Sequence, residues 1–421
     1  MASFFPSSTS SDRSYPDDWD FYLEMPISSL SNGESPVFLV GPKPLLKMRL
    51  LDGSVRDAPL LGDLSGVDES LVPEGAVIVR PELGEPNGAF VVKFFSHLQK
   101  KRSQNTEIAA HMMFSCLARG KELRLSGTAP RDAAEFVHEH TPMILAHGAL
   151  YELRHGDISD IEAWVEPGAW PYIVMPYIHG WDLEQTFPYD EAADLLPLRL
   201  PELTSSAEFL GKYLRSLHQF EVGIATKPNV NPLYNRGWRG FETWLVKRRR
   251  IVTRDRPIAP DSINAHLKRI ADDYLPRDVR ILTEWYKNKH GLENPRLLHG
   301  DLNEEHLLLI DRQPYAVIDY GDCFLGDPQY EWIPVLISSF RCKKHLLITA
   351  LQHYYQCQTL DEIEQQVGGW SRFSYNMMCY TLLAQQDAMR TVYGMRPELI
   401  PFDNFESLAN EIWNLSIDQK S

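Results

Sequence analysis

The chain has 421 residues, 43% of them hydrophobic and 24% charged, which is ordinary for a globular protein with a substantial core in two or three lobes. Lysine plus arginine number 42 against 57 aspartate plus glutamate, a formal net charge of −15, which argues against non-specific nucleic-acid binding through neutralised phosphates. No run approaches about 18 consecutive apolar residues, so no membrane span is expected, and five cysteines without a Cys-x-x-Cys suggest neither a disulfide framework nor a zinc site.

Residues 1–18 are rich in Ser, Pro and Asp and lack an apolar h-region, so residues 1–25 are predicted to be a disordered arm rather than a secretory signal. Residues 37–40 and 45–51 read as short strands. Two apolar runs, 76–80 and 89–95, flank Glu85-Pro86-Asn87-Gly88, and Asn-Gly between apolar runs is a hairpin signal. Residues 105–117 have helical spacing, with Ile108, Met112 and Cys116 on one face. Residues 142–151 and 172–177 are further strand candidates, completing a small antiparallel sheet with one helix. From about residue 183 the pattern turns helical. Phe209, Leu210, Tyr213, Leu214 and Leu217 share helical spacing in 208–220, and further helices are expected at 241–251, 278–290, 330–355, 375–393 and 405–415. The lobe boundary falls near 175–180, dividing the chain into 26–177 and 178–421.

The most informative segment is Leu297-Leu298-His299-Gly300-Asp301-Leu302-Asn303-Glu304-Glu305-His306, followed by Val317-Ile318-Asp319-Tyr320-Gly321-Asp322. Two apolar runs each end in an acidic loop, 18 residues apart from Asp301 to Asp319. Phosphoryl transfer from a nucleotide needs that pairing: one carboxylate for the acceptor hydroxyl, another with a nearby side chain for magnesium. A β-hairpin with acidic turns uses the same residue types. Upstream, Lys93 lies in the apolar run 90–95, where a charge is expensive unless paired or functional. Glu107 follows 14 residues later on the predicted helix. Either the lysine contacts phosphates and is held by the helix glutamate, or it is an edge-strand lysine that blunts aggregation.

These residues resemble the His-x-Asp catalytic loop of the aminoglycoside phosphotransferase family. That family includes choline-kinase-like and macrolide-kinase-like enzymes and shares the protein-kinase fold. Its pattern, His-Gly-Asp-Leu-x-x-x-Asn, then Ile-Asp, then Gly-Asp-Pro, ends here at Gly326-Asp327-Pro328. The resemblance is strong over 297–332 and weaker over 88–220. It implies a bilobal, protein-kinase-like α+β fold, with a small antiparallel-sheet N-lobe and a larger, mostly helical C-lobe. It further implies a cytoplasmic enzyme using ATP or GTP with Mg2+. The acceptor would be a hydroxylated small molecule of the aminoglycoside, macrolide or natural-product kind, with neither nucleic acid nor membrane as partner. Under the resemblance, Asp301 orients or deprotonates the acceptor and His299 buttresses the loop. Lys93 and Glu107 position the nucleotide. Met175 and Tyr177 offer backbone groups to the base, because Pro176 cannot donate. Asp319 and His306 hold the metal. His306 departs from the usual Asn, and nitrogen is a poorer magnesium ligand than oxygen; macrolide-kinase-like members resemble the chain in carrying His there.

No Gly-x-Gly-x-x-Gly precedes Lys93, and Gly84, Asn87 and Gly88 form either a phosphate loop or an ordinary turn. The alternative reading is therefore a non-catalytic nucleotide-binding module. A protein kinase is disfavoured, because Gly326 comes seven positions after Asp319 and leaves no room for an activation loop. Asp327 reads as a structural acceptor and Cys323 as a packing residue. Asn303, Glu304, Glu305 and Asp322 are either solvated or turned to a cationic substrate. The basic run Lys247-Arg248-Arg249-Arg250, with Arg254 and Arg256, reads as a solvated helix end, a nuclear signal or an anion site. Trp238, Phe241 and Trp244 form a packing stripe or wall a cleft.

Overall fold

In the computed structural model, small antiparallel sheets come first and helices dominate later. Residues 37–40, 47–52, 54–57, 74, 77–79, 90–95, 101–120, 127–151, 169–178, 180–183, 196–222, 237–255, 270–290, 295–384, 388–396, 399 and 404–416 are described. The expected arm at 1–25 and the turn of Gly84, Asn87 and Gly88 lie outside them, as does Arg256.

The strands of the first part are β1 (Val37–Val40), β2 (Lys47–Arg49), β3 (Val55–Asp57), β4 (Val77–Val79), β5 (Phe90–Phe94), β6 (Gly127–Thr128), β7 (Ala146–Tyr151) and β8 (Ala169–Pro176). The order β1-β5-β8-β7 makes one four-stranded antiparallel sheet, and β3-β2-β4 makes a second, smaller one. The two apolar runs expected to form a hairpin, at β4 and β5, therefore lie in different sheets: β4 pairs with β2, and β5 with β1 and β8, because a turn signal does not say which distant strand will cover each edge. The register Val37↔Lys93↔Ile173 runs across three strands of the larger sheet. Alternation along β5 sends Val91, Lys93 and Phe95 to one face. That face meets helix α1 (Lys101–Ala118), where Phe95, Ile173 and Met175 form a small core with Val91, Ile108 and Ile144.

The buried face of α1 is not the expected one. Glu107, Ala110, His111 and Phe114 point inward, whereas Met112 is 50% exposed and Ile108 and Cys116 are half-buried. The inward face joins Glu107, which meets the strand lysine, to the apolar Ala110, Met113 and Phe114, leaving Met112 exposed while Ile108 packs at the edge of the sheet core. Helix α2 (Arg131–Glu139) was not expected from the sequence. It buries Ala133, Ala134 and Val137, side chains too small to stand out in an apolar pattern.

Beyond β9 (Trp181–Asp182), helix α3 (Leu196–Leu217) forms the spine of the helical part, with Leu210, Tyr213, Leu214 and Leu217 fully buried. After β10 (Glu221–Val222) come α4 (Trp238–Arg250) and α5 (Ile281–His290), then β11 (Arg296–Leu298). The hairpin β12 (Leu307–Ile310) and β13 (Gln313–Val317) turns through Asp311 and Arg312, both at positive φ (51° and 63°). That is the turn hand that matches strand twist. Strand β14 (Phe324–Gly326) pairs with β11, so the two apolar runs of the motif lie in different ladders, not one hairpin. Helices α6 (Lys344–Tyr355), α7 (Leu360–Val367), α8 (Trp370–Leu383), α9 (Ala388–Met395) and α10 (Phe405–Trp413) complete the fold. One continuous apolar core joins α1 and α2 to these C-terminal helices. The architecture is α+β and bilobal, a small antiparallel sheet layer on a larger helical body. No helix among the described residues is long and apolar enough to cross a membrane.

The basic run at the end of α4 is partly internal. Arg248 is buried and donates to the carbonyls of Leu383 and Ala384, at the C-terminal end of α8. Arg249 pairs with Asp272 at 2.7 Å. Phe241 and Trp244 stack at 5.7 Å and pack against Phe324 and Tyr330, which ties α4 to the motif.

Candidate functional site

The Lys93 ammonium joins the two halves of the chain. Its Nζ lies 2.8 Å from Glu107 Oε2 and 2.6 Å from Asp319 Oδ1. Burial disfavours the charged lysine, but the two carboxylates outweigh it and hold its pKa above the usual range. Burial also pushes Asp319 up, yet Lys93 and then His306 more than offset this, so Asp319 stays well below the usual carboxylate range. Glu107 behaves differently: burial pushes it up to about 7, against the pull of Lys93. Its Oε1 is buried and has no hydrogen-bond partner among the described residues.

Asp319 sits at the end of the segment leaving β13, at φ 67°, and its Oδ1 accepts from the Gly321 N–H at 3.2 Å. A non-glycine residue in the left-handed region is uncommon and costs strain, which this cap partly offsets. Short aspartate tolerates that backbone because its own carboxylate bonds locally.

The loop after β11 holds Asp301 by a set of bonds legible only in three dimensions. Glu331, fully buried, accepts the backbone N–H of His299 at 2.7 Å and of Gly300 at 3.0 Å. Gly300 has φ 87°, and a Cβ there would stand 2.7 Å from the Asp322 carbonyl oxygen, so the turn requires glycine. The buried His299 ring donates from Nε2 to the Ile318 carbonyl at 2.8 Å, and its Nδ1 faces the Asp301 N–H at 3.4 Å. Burial pushes this imidazole down to about 4, so it is neutral at physiological pH. It therefore ties the Asp301 loop to the strand that delivers Asp319. Asn303 donates to Asp301 Oδ1 at 3.2 Å and caps the short turn beginning at Glu304.

His306 Nδ1 donates to the Asp301 carbonyl at 2.5 Å, and the ring's Nε2 lies 3.6 Å from Asp319 Oδ2. With Nδ1 engaged as donor, Nε2 and Asp319 Oδ2 are left side by side, and a metal ion could take both. The donor set thus fits a hard cation that also takes phosphate oxygens and water, though it supplies only one carboxylate and one nitrogen.

Met175 pairs with Val91 and is buried, whereas Tyr177 follows the strand and is half-buried. The last β7 pairing on β8 is at Val174, so Met175 to Tyr177 run beyond it. Asp327 is fully buried and accepts from the Gln329 N–H and the Tyr380 hydroxyl, each at 2.9 Å. Burial holds it up at about 6. Burial likewise pushes the Cys323 thiol well up, which suits packing rather than reactivity. Glu304 is buried, while Glu305 is exposed.

The structure thus brings Lys93, Glu107, Asp319, His306, His299 and Asp301 to one place, with Met175 on the strand beside Lys93 and Tyr177 just past its end. Glu331 and Asn303 contribute as much to the loop's shape. Glu331 carries a signal in the sequence, a carboxylate inside the apolar run Tyr330-Glu331-Trp332-Ile333. A group of this kind can grip phosphates through the third N–H of Lys93 and present a carboxylate to a hydroxyl.

Three comparisons bear on descent. The chain is 24% identical over 288 residues to the lysine-specific demethylase JMJ21 of Arabidopsis thaliana, covering 58% of this chain and 29% of that protein. It therefore spans under a third of the length of that relative. Among solved structures it is similar to the GDP complex of wild-type aminoglycoside 2'-phosphotransferase-IIIa, with 14% identity, 93% and 95% of the two chains covered and a TM-score of 0.40. It is also similar to a Plasmodium vivax ethanolamine kinase, with 12% identity, 77% and 74% covered and a TM-score of 0.38. The family model described as "Phosphotransferase enzyme family" matches residues 123–365, more than half of the chain and all of the segment from Asp301 to Asp319. The chain belongs to this phosphotransferase enzyme family, APH.

Proposed function

We propose that this protein is a small-molecule kinase that moves the γ-phosphoryl of ATP or GTP onto an alcohol group of a small acceptor. The observation that carries the reading is the buried ammonium of Lys93, held between Glu107 and Asp319. A cation that costly to bury is kept where phosphates must be gripped. Lys93, steadied by Glu107, contacts the nucleotide phosphates, and backbone groups of Met175 and Tyr177 meet the base. Asp319 and His306 would hold Mg2+, which would supply neutralisation of phosphate charge when bound. Asp301 accepts the proton of the acceptor hydroxyl as its oxygen bonds to the γ-phosphorus and the bridging bond to the nucleoside diphosphate breaks. His299 positions Asp301 without exchanging a proton. The enzyme acts in the cytoplasm, and an acceptor of the aminoglycoside, macrolide or other natural-product class is what the family resemblance suggests.

The test begins with thermal unfolding in magnesium with ATP or GTP. Ligand at about 100 times Kd should add roughly 2.7 kcal/mol, read as a rise of a few degrees in Tm. Asp319→Ala should abolish the rise. A panel of hydroxylated acceptors then follows, with Asp301→Asn as the control. Turnover lost in Asp301→Asn with nucleotide binding kept supports a kinase. Binding without turnover on any acceptor supports the non-catalytic module that His306 in place of Asn motivates. No nucleotide effect in folded protein overturns both.

A further inference from the structure

Three buried hydroxyls lie outside the machinery described above. Tyr320, the residue after Asp319, is fully buried, and its hydroxyl bonds to that of Tyr213 on α3. The Tyr213 hydroxyl in turn meets Thr141 Oγ1 at 2.7 Å. Thr141 is buried and follows the end of α2. A hydroxyl can both donate and accept, so the middle one, on Tyr213, can bond to both of its neighbours whichever way the chain runs. Interior hydroxyls are expensive to bury, and three in a row need a reason.

The neighbouring contacts supply it. The Val317 N–H donates to the His140 carbonyl at 2.8 Å, so residue 140 holds the chain before Asp319, and Thr141 reaches the chain after it through the Tyr213 hydroxyl. The Tyr320 ring packs on two parts of the site at once, while its hydroxyl reaches α3. It lies 4.7 Å from His299 on the Asp301 loop, and 5.6 Å and 5.1 Å from His111 and Phe114 on the helix that carries Glu107. Tyr320 is thus the point where the loop, the glutamate helix and α3 meet. Its neighbour Asp319 keeps a left-handed backbone that needs outside support.

We propose that Thr141, Tyr213 and Tyr320 form a positioning chain, which anchors the Tyr320 ring and thereby aims the Asp319 carboxylate at the metal–nucleotide. None of the three touches substrate; they act through Asp319. This rests on the proposed nucleotide function, so the experiment has one arm that does not.

The first arm is the ratio of ATP or GTP affinity with Mg2+ to that in EDTA, measured on folded wild type, Tyr213→Phe, Thr141→Val and Thr141→Ser. Tyr213→Phe and Thr141→Val should lose roughly fivefold of the magnesium enhancement, the scale of one buried hydrogen bond. Their affinity in EDTA should stay unchanged, and Thr141→Ser should match wild type. The second arm is amide hydrogen exchange in metal-free protein at Gly321, whose N–H donates to Asp319 Oδ1. It should quicken in Tyr213→Phe and Thr141→Val but not in Thr141→Ser. An unchanged magnesium ratio or unchanged Gly321 exchange in Tyr213→Phe overturns the chain. If wild type shows no magnesium enhancement, the nucleotide reading fails, and the exchange arm alone judges the positioning.

Discussion

At the scale of single residues, the ammonium of Lys93 carries the site, and the two carboxylates it holds are unequal. Asp319 is kept ionised by Lys93 and His306 despite burial, whereas Glu107 is pushed up to about 7. A neutral amide should therefore stand in for Glu107 but nothing uncharged for Lys93. Glu107→Gln is expected to cost about 1 kcal/mol, the worth of one hydrogen bond. Lys93→Met strands the buried Glu107 and the half-buried Asp319 and should cost about 3 kcal/mol. Urea unfolding of the two variants measures the difference, and equal losses would contradict the unequal sharing.

At the scale of elements, the loop bearing Asp301 owes its shape to groups distant in sequence. Glu331 accepts two backbone N–H groups that would otherwise be buried without partners. Glu331→Gln replaces one acceptor with a donor and should destabilise by about 2–3 kcal/mol. Turnover should fall with it, while nucleotide affinity stays near wild type, because Lys93 and Asp319 lie on other segments. Steady-state kinetics beside nucleotide titration reads that split. Gly300→Ala meets both the positive φ and the Asp322 carbonyl, and should cost about 2–4 kcal/mol in chemical denaturation. Arg248 plays a comparable part for α8, since its guanidinium satisfies two carbonyls at that helix end. Arg248→Ala is expected to lower stability by about 2–3 kcal/mol, whereas the exposed Arg250→Ala should be nearly silent.

At the scale of the whole molecule, buried titratable groups make stability depend on pH. Asp327 lies in the main helical body, and burial raises it to about 6. A carboxyl raised in the fold binds its proton more tightly there than in the unfolded chain. Its contribution is thus complete below the unfolded value near 3.8 and is lost as pH rises through about 6. Asp327→Asn keeps an acceptor for the Gln329 N–H and removes the titration. Between pH 4 and 7, wild type should lose on the order of 2–3 kcal/mol relative to this variant. Parallel Tm profiles for the two proteins would show instead that Asp327 does not titrate in this range.

What the sequence determined by itself is chemistry held in short stretches. The pair Asp301 and Asp319, the strand lysine and the existence of strands at 77–79 and 90–94 are local patterns, because apolar runs set strands and a charge inside one needs a partner. The pairing of those two strands with each other, expected from Asn87-Gly88, is not what the fold adopts. The long helix around Tyr213 was legible for the same reason. Tertiary structure alone decided which face of α1 turns inward, since the partners of Glu107 and of Met113 and Phe114 lie on distant segments. It alone revealed Glu331 as the clamp on the Asp301 loop, Arg248 as a cap on α8, and the Thr141–Tyr213–Tyr320 chain. In each case the bonding partners lie from tens to more than a hundred residues apart. Periodicity reports how a residue relates to its own helix or strand. It carries no information on which distant carbonyl, amide or hydroxyl will satisfy a polar group once that group is buried.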